Sequence, residues 1–385
     1  MMTEQNKPYC ILPWFHQLTR TDGKLMPCCG WQGDAIDDSS GFLHSKFMNG
    51  LRDTFMQGKA HDGCVNCVYQ ESVEGSSLRT RSWQTAEYLK IDWTVNPVLR
   101  SQEVHFSNLC NQKCRTCDQT RSTKWIADAE ALGQPPLGLQ KSNWQLNETD
   151  AANTSNLIFL GGEPMLHQNE IKQALRMVKK YGDISKLSII INSNLSLPFE
   201  QEVLDLLFEC SHTHVTASID AAFVLNEYIR SDSIWIDTAA NLQQLVALRR
   251  SRTNLSFNIG SVYSVLNVNK YDEFLEWLDS SIENVNVSVI FLQSPRCYDA
   301  RNLRDEFKIK LIDRYRTCLS AHPKHEQSIN GIIQHLQQPS KIPYPKFIER
   351  FRQYNDFLDD RRGFSLLDVN KELYDELMSS MVALA

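Results

Sequence analysis

What this chain lacks narrows its possibilities before any motif is considered. No uninterrupted apolar run approaches the roughly 20 residues that span a bilayer. The polar opening Met-Met-Thr-Glu-Gln-Asn-Lys-Pro also lacks the apolar centre of a secretory signal. The chain therefore reads as cytoplasmic, with no membrane partner. Positive charge is not in excess: 40 Lys and Arg stand against 46 Asp and Glu, a formal net charge of -6. There is no global positive field to gather nucleic acid or anionic lipid, and no concentrated basic stretch. Internal repeats and low-complexity tracts are missing too. Cysteine is sparse beyond residue 118, where only Cys210, Cys297 and Cys318 occur, and these isolated thiols read as buried apolar side chains.

What is present is an ordinary globular composition, 42% hydrophobic and 22% charged over 385 residues, enough for one large domain and something smaller. Eight of the 11 cysteines crowd before residue 118, at Cys10, Cys28, Cys29, Cys64, Cys67, Cys110, Cys114 and Cys117. In a reducing compartment, such clusters at short spacing are metal ligands or catalytic thiols rather than a disulfide framework.

Residues 1 to about 100 show little periodicity, as in a small unit held together by metal rather than by its core. From Glu103 the pattern changes to short apolar runs, at 104–106, 157–160, 187–191, 215–219, 255–259 and 285–291. Amphipathic helical stretches such as Glu170 to Lys180, Glu200 to Phe208, Thr238 to Arg249 and Asp272 to Leu278 lie between them. This alternation predicts an α/β fold with a parallel sheet, as a full or partial barrel or a doubly wound sheet. The ligand site is expected at the carboxyl edge of the strands. Beyond Arg301 the chain reads as a charged helical tail, a solvated packing segment.

Two motifs fall at that edge. Cys110-Asn111-Gln112-Lys113-Cys114-Arg115-Thr116-Cys117 is a C-x3-C-x2-C triplet directly after the first strand run. Three thiolates on one loop can hold three irons of a [4Fe–4S] cube and leave the fourth open to a ligand; a zinc loop is the alternative. Gly161-Gly162-Glu163-Pro164 follows the second run. Its glycines would let backbone approach a ligand, and its carboxylate and carbonyls would accept bonds from an amine.

Together these motifs resemble the radical S-adenosylmethionine (radical SAM) superfamily. The resemblance implies a partial (β/α)6 TIM-like barrel over 101–300, preceded by a cysteine-rich domain over 1–100 and followed by a helical extension over 301–385. Cys110, Cys114 and Cys117 would ligate a SAM-binding [4Fe–4S] cluster, with Gly161, Gly162, Glu163 and Pro164 at the methionyl end of S-adenosyl-L-methionine. Asn192, Asn194, Ser218 and Asp220 fall at further cofactor-contact positions. Arg230 resembles the arginine that pairs with the SAM carboxylate, for which a guanidinium fork is suited. By the same resemblance, SAM is cleaved to methionine and a 5′-deoxyadenosyl radical that abstracts hydrogen from substrate.

The N-terminal cysteines add a second resemblance. Cys10, Gly23 and Cys28 fit C-x(9–15)-G-x4-C, and Cys64-Val65-Asn66-Cys67 is a later C-x2-C, as in SPASM and twitch extensions of this superfamily. Further cysteines of the full SPASM pattern are replaced at Ser72 and Val73, so one auxiliary [4Fe–4S] cluster on Cys10, Cys28, Cys64 and Cys67 is implied. Cys29 is a rival to Cys28, and a structural zinc knuckle is the rival to the cluster. The implied substrate is a peptide, a protein side chain or a small metabolite, and the implied partner a reductant such as flavodoxin or ferredoxin. The two competing functions are modification of a nucleic acid, which the acidic balance opposes, and a zinc-stabilised binding module. No catalytic acid or base is singled out.

Overall fold

The computed structural model describes residues 7–36 and 41–379. Most of the polar opening (1–6) and the end of the tail (380–385) lie outside the described residues. No helix among the described residues is long and apolar enough to cross a membrane.

The strands among the described residues are β1 (His16–Thr19), β2 (Leu25–Met26), β3 (Ser101–His105), β4 (Asn156–Leu160), β5 (Ser188–Ser193), β6 (His212–Ser218), β7 (Leu255–Tyr263) and β8 (Val287–Phe291). They form one sheet in the order β2-β1-β3-β4-β5-β6-β7-β8. β1 with β3, β3 with β4, β4 with β5 and β7 with β8 run parallel, while β2 is antiparallel to β1. Helices α1 (Lys46–Met56), α2 (Val65–Glu74) and α3 (Leu78–Tyr88) precede β3. Between β3 and β8 come α4 (Ile126–Ala131), α5 (Glu148–Asn153), α6 (Gln168–Tyr181), α7 (Gln201–Glu209), α8 (Phe223–Ile229), α9 (Trp235–Ser251) and α10 (Tyr271–Ser281). The tail holds α11 (Asp305–Ala321), α12 (Glu326–Gln337), α13 (Tyr344–Arg362), α14 (Leu366–Val369) and α15 (Lys371–Ser379). β3 to β8 answer to the six apolar runs.

The chain divides into two compact units. One comprises the residues up to Leu109 with Leu139–Ile191 and Phe199–His214; the other comprises Cys110–Gly138, Asn192–Pro198 and the chain from Val215 on.

In the first unit the strands alternate sides residue by residue. Val104, Leu157, Phe159, Ile189 and Ile191 are fully buried, and α6 presents a matching apolar stripe of Ile171, Ala174, Leu175 and Val178. The opposite sheet face carries a polar row. His16 pairs with Ser101, Ser101 with Asn156 and Asn156 with Ser188, which sets four polar residues in one row across four strands. The next row on that face holds Glu103, Ile158 and Ile190.

The first hundred residues depart from expectation, because they do bury an apolar core. Ile11, Trp14, Phe15, Leu18, Trp31, Phe42, Met48, Leu51 and Phe55 form one cluster. It leaves little periodic trace because 3₁₀ turns at Leu12–Trp14 and Phe42–His44 and the short β1 and β2 each supply only one or two of its residues.

In the second unit the tail is built into the core rather than solvated. Phe347, Phe351 and Leu358 of α13 are buried, and Asn355 Oδ1 accepts hydrogen bonds from the hydroxyls of Tyr228 (3.1 Å) and Tyr298 (2.9 Å). Cys297 and Cys318 are buried there, as Cys210 is in the first unit. Asp299, also buried, accepts from the Arg301 backbone (3.0 Å) and guanidinium (2.6 Å). Burial pushes its carboxyl up, but His335 and Arg301 outweigh that and hold it at about 2. A carboxyl depressed in the folded state stabilises above its unfolded pKa, and that stability is lost as pH falls from about 4 toward 2. Urea midpoints measured between pH 6 and pH 3 are expected to fall more steeply for the natural chain than for Asp299→Asn. Parallel slopes would contradict this pairing.

Candidate functional site

The C-x3-C-x2-C loop has no regular structure of its own, so its shape is set by what grips it. Its backbone is held by Arg115 N–H to Ile229 O (2.7 Å), Lys113 N–H to Ser231 O (2.9 Å), and the Trp125 indole N–H to Cys114 O (2.8 Å). Arg115, between the second and third cysteines, is fully buried. Its guanidinium meets Asp359 at 2.7 Å, donates to Tyr228 O (3.0 Å) and Phe364 O (3.1 Å), and lies 3.8 Å over the Tyr228 ring. Arg362, at the end of α13, donates to Lys113 O (2.7 Å) and pairs with Asp128 (3.0 Å). The tail is thus a clamp on the cysteine loop. Sequence reading missed this, because Arg115 and Asp359 share no local pattern and a burial-compensating pair is visible only once the chain has folded.

The thiols of this loop are shielded from solvent and act on one another as charges. Burial pushes Cys117 up to about 12, with Cys114 and Cys110 as further charges that raise it. Burial also raises Cys114, opposed by Arg230. The Arg230 Nη1 lies 3.9 Å from the Cys114 sulfur, while its Nε and Nη2 engage Asp220 at 2.9 and 3.1 Å. Asp220 is fully buried and also accepts from the Val262 N–H (2.7 Å), so it holds Arg230 from behind. Asn194 donates to Asn111 Oδ1 (3.0 Å) and lies 4.0 Å from the Cys110 sulfur. Asn192 and Ser218 are half-buried at the ends of β5 and β6. His212 and His214 are also half-buried on β6.

The Gly161–Pro164 turn belongs to the first unit. Its glycines let the turn cross the chain just before Cys110. Gly161 sits at φ +123°, and a Cβ there would lie 2.7 Å from Ser107 O. A Cβ on Gly162 would lie 2.0 Å from Leu109 O. The crossing is tied by Gly162 N–H to Ser107 O (2.7 Å) and Glu163 N–H to Leu109 O (2.9 Å). Pro164 and Glu163 are buried, and the Glu163 carboxylate caps the following turn by accepting from Met165 N–H (3.0 Å). His167, close behind, bonds Ser107 Oγ at 2.7 Å.

The other four cysteines meet in the first unit. Cys10, Cys28, Cys64 and Cys67 line a single cavity whose remaining walls include Leu12, Trp31, Leu51 and Phe55. A Cβ built on Gly30 would lie 3.6 Å from the Cys67 sulfur and 3.9 Å from that of Cys28. Burial pushes Cys10 up to about 12, with Cys64 and Cys67 adding to the rise. Cys28 is likewise raised, first by burial and then by Cys29, Cys10 and Cys67. Cys29 turns the other way: burial and Glu103 push it up to about 12, and its thiol bonds the Glu103 carboxylate. Arg79 lines the same cavity, held by a paired contact with Glu71, by donation to Tyr9 O (2.8 Å), and by its position 4.3 Å over the Tyr9 ring. Ser77, which caps α3, also donates to Glu71. Among the described residues, no group of three or more His, Cys, Asp or Glu side chains stands out as a site for a metal ion.

No family model and no curated protein matches the chain. Among solved structures, histidine-tagged anSMEcpe with bound AdoMet aligns at TM-score 0.40 and 15% identity, over 58% of this chain and 62% of that one. Native anSMEcpe with bound AdoMet and the Cp18Cys peptide aligns at 0.41 and 16%, over 64% and 68%. Streptococcus suis SuiB bound to S-adenosylmethionine aligns at 0.39 and 10%, over 83% and 71%. The chain thus spans 62% of the length of the first of these. At such TM-scores the likeness transfers neither fold nor function.

Proposed function

We propose that this chain is a cytoplasmic radical SAM enzyme that cleaves S-adenosylmethionine reductively and abstracts hydrogen from a peptide or small-molecule substrate, assisted by an auxiliary cluster. The observation that carries the reading is the clamped C-x3-C-x2-C loop with a buried guanidinium, Arg230, 3.9 Å from the Cys114 sulfur. When bound, a [4Fe–4S] cluster there supplies the electron that breaks the SAM sulfonium bond. Cys110, Cys114 and Cys117 hold the cluster. Arg230, its Nε and Nη2 held by Asp220, offers Nη1 on the cysteine side to the SAM carboxylate. By the same resemblance Glu163 and the Gly161–Gly162 turn would take the amino end, and Asn192, Asn194 and Ser218 the nucleoside. The four thiols around one largely apolar cavity form the donor set for a second [4Fe–4S] cluster, with Cys28 rather than Cys29 as ligand. In this reading residues 1–100 carry the auxiliary site, 101–300 a partial (β/α)6 barrel, and 301–385 the extension that braces the loop. Flavodoxin or ferredoxin is the reductant.

Anaerobic reconstitution is expected to load about eight irons per chain, from two four-iron cubes, and the reduced protein is expected to release 5′-deoxyadenosine from SAM. Cys114→Ala should abolish release, whereas Cys64→Ala should lose about half the iron and retain cleavage. A purified chain holding zinc and no iron, or SAM cleavage surviving in Cys114→Ala, sinks the proposal.

A further inference from the structure

The sheet face of the first unit that carries the polar row looks onto a cavity. A cavity of about 500 Å³ lies over it, with the row His16, Ser101, Asn156 and Ser188 and the row Glu103, Ile158 and Ile190 as its floor. α3 forms part of its wall through Leu78, Arg81 and Thr85. The polar row is tied together internally, since Ser101 Oγ bonds His16 Nδ1 (2.9 Å) and accepts from Asn156 Nδ2 (2.8 Å).

Glu103 is the anomaly on this floor. Its residue is 5% exposed, yet among the described residues no lysine or arginine forms an ion pair with it. Its neighbours are His105 Nε2 at 3.0 Å, the Cys29 thiol, and His16 Nε2 at 3.9 Å, which is beyond hydrogen-bond reach. A carboxylate offers roughly four acceptor positions, and these contacts fill about half of them. Burial pushes the carboxyl up, but the His105 bond, the charges of His16 and His105, and the Cys29 bond outweigh it, so the group is held as an anion below its ordinary value. Burial keeps His16 on the neutral side, against the pull of Glu103. Its partners are two imidazoles and a thiol rather than a lysine or arginine, so this buried anion is only partly compensated.

We infer that this cavity binds a ligand bearing a primary ammonium or guanidinium group on an apolar stem, with the cation on Glu103 and the stem along Ile158 and Ile190. Arg81, the one lysine or arginine in the cavity lining, favours a ligand whose other end is neutral or anionic over a dication. A lysine or arginine side chain of a peptide, or a free monoamine, has this chemistry. The inference deepens the proposed function by naming a substrate class and rests on that reading only for the role of substrate. The cavity also shares Leu12 in its lining with the four-cysteine cavity, which places the two sites side by side within one unit.

The test is binding of n-pentylamine, n-butylguanidine and the capped tripeptides acetyl-Gly-Lys-Gly-amide and acetyl-Gly-Arg-Gly-amide to the full anaerobically purified chain. Saturation-transfer NMR and calorimetry would be run with 1-pentanol as the neutral control. At least one cation is expected to bind more tightly than 1-pentanol. Glu103→Gln should weaken it roughly tenfold to hundredfold, the loss of one charge-assisted contact. Ser188→Trp, which fills the cavity from the other edge without touching Glu103, should abolish binding. Tripeptide binding identifies a peptide source, and amine binding alone identifies a metabolite. Equal binding of amine and alcohol, affinity unchanged in Glu103→Gln, or Glu103-dependent binding of Zn²⁺ with no amine binding overturns the inference. None of these readouts needs iron or SAM, so failure here leaves SAM cleavage standing, and failure of SAM cleavage leaves this site standing.

Discussion

Arg115→Met is expected to lower folding stability by about 3–5 kcal/mol, the penalty for removing one member of a buried ion pair and leaving the other charge in place. The guanidinium is fully buried, meets Asp359 at 2.7 Å and covers the Tyr228 ring at 3.8 Å. No water can replace it without opening the junction between the cysteine loop and α13. Arg115→Lys should recover only part of the loss, because an ammonium cannot reach Asp359, Tyr228 O and Phe364 O at once. Chemical denaturation of both variants and of Asp359→Asn, combined as a double-mutant cycle, should show a coupling of about 1–3 kcal/mol. Additive losses, or an Arg115→Met midpoint equal to that of the natural chain, would mean that the clamp does not hold the loop.

That clamp marks the boundary of what can be read in the sequence. The six strands β3 to β8 and the helices between them were legible because period-2 and period-3.6 apolar patterns are local. The cysteine loop was legible because its chemistry sits within eight residues. β1 and β2 were hidden: a four-residue and a two-residue strand carry almost no periodicity, and β1 finds its partner β3 some 80 residues further on. The floor of the cavity was hidden for a different reason. Ser101 and Glu103 fall outside the apolar run at 104–106 because a strand facing a cavity keeps polar side chains where a packed strand would be apolar. The choice between Cys28 and Cys29 is likewise invisible to spacing. What the fold adds is a difference in surroundings, with Cys10 and Cys67 acting on Cys28 and Glu103 bonding Cys29.

Gly162→Ala carries the second large expectation, because the atoms in its way cannot yield. The added Cβ would lie 2.0 Å from Leu109 O and 2.5 Å from Leu109 C, both backbone, so either the turn or the chain leading into Cys110 must move. Moving it breaks the bonds from Gly162 N–H to Ser107 O and from Glu163 N–H to Leu109 O. Overpacking and the loss of two hydrogen bonds together predict about 3 kcal/mol of destabilisation. Gly331→Ala is the internal contrast: it lies inside α12, its nearest neighbour is Phe291 at 3.5 Å, and it should gain up to about 1 kcal/mol from helix propensity. Thermal and urea unfolding of the two variants decide the matter. If the glycine serves the chain crossing, Gly162→Ala loses stability and SAM binding together. If it serves only the approach of a ligand, stability stays within about 0.5 kcal/mol of the natural chain while SAM binding alone falls, and the crossing is then not the reason for the glycine.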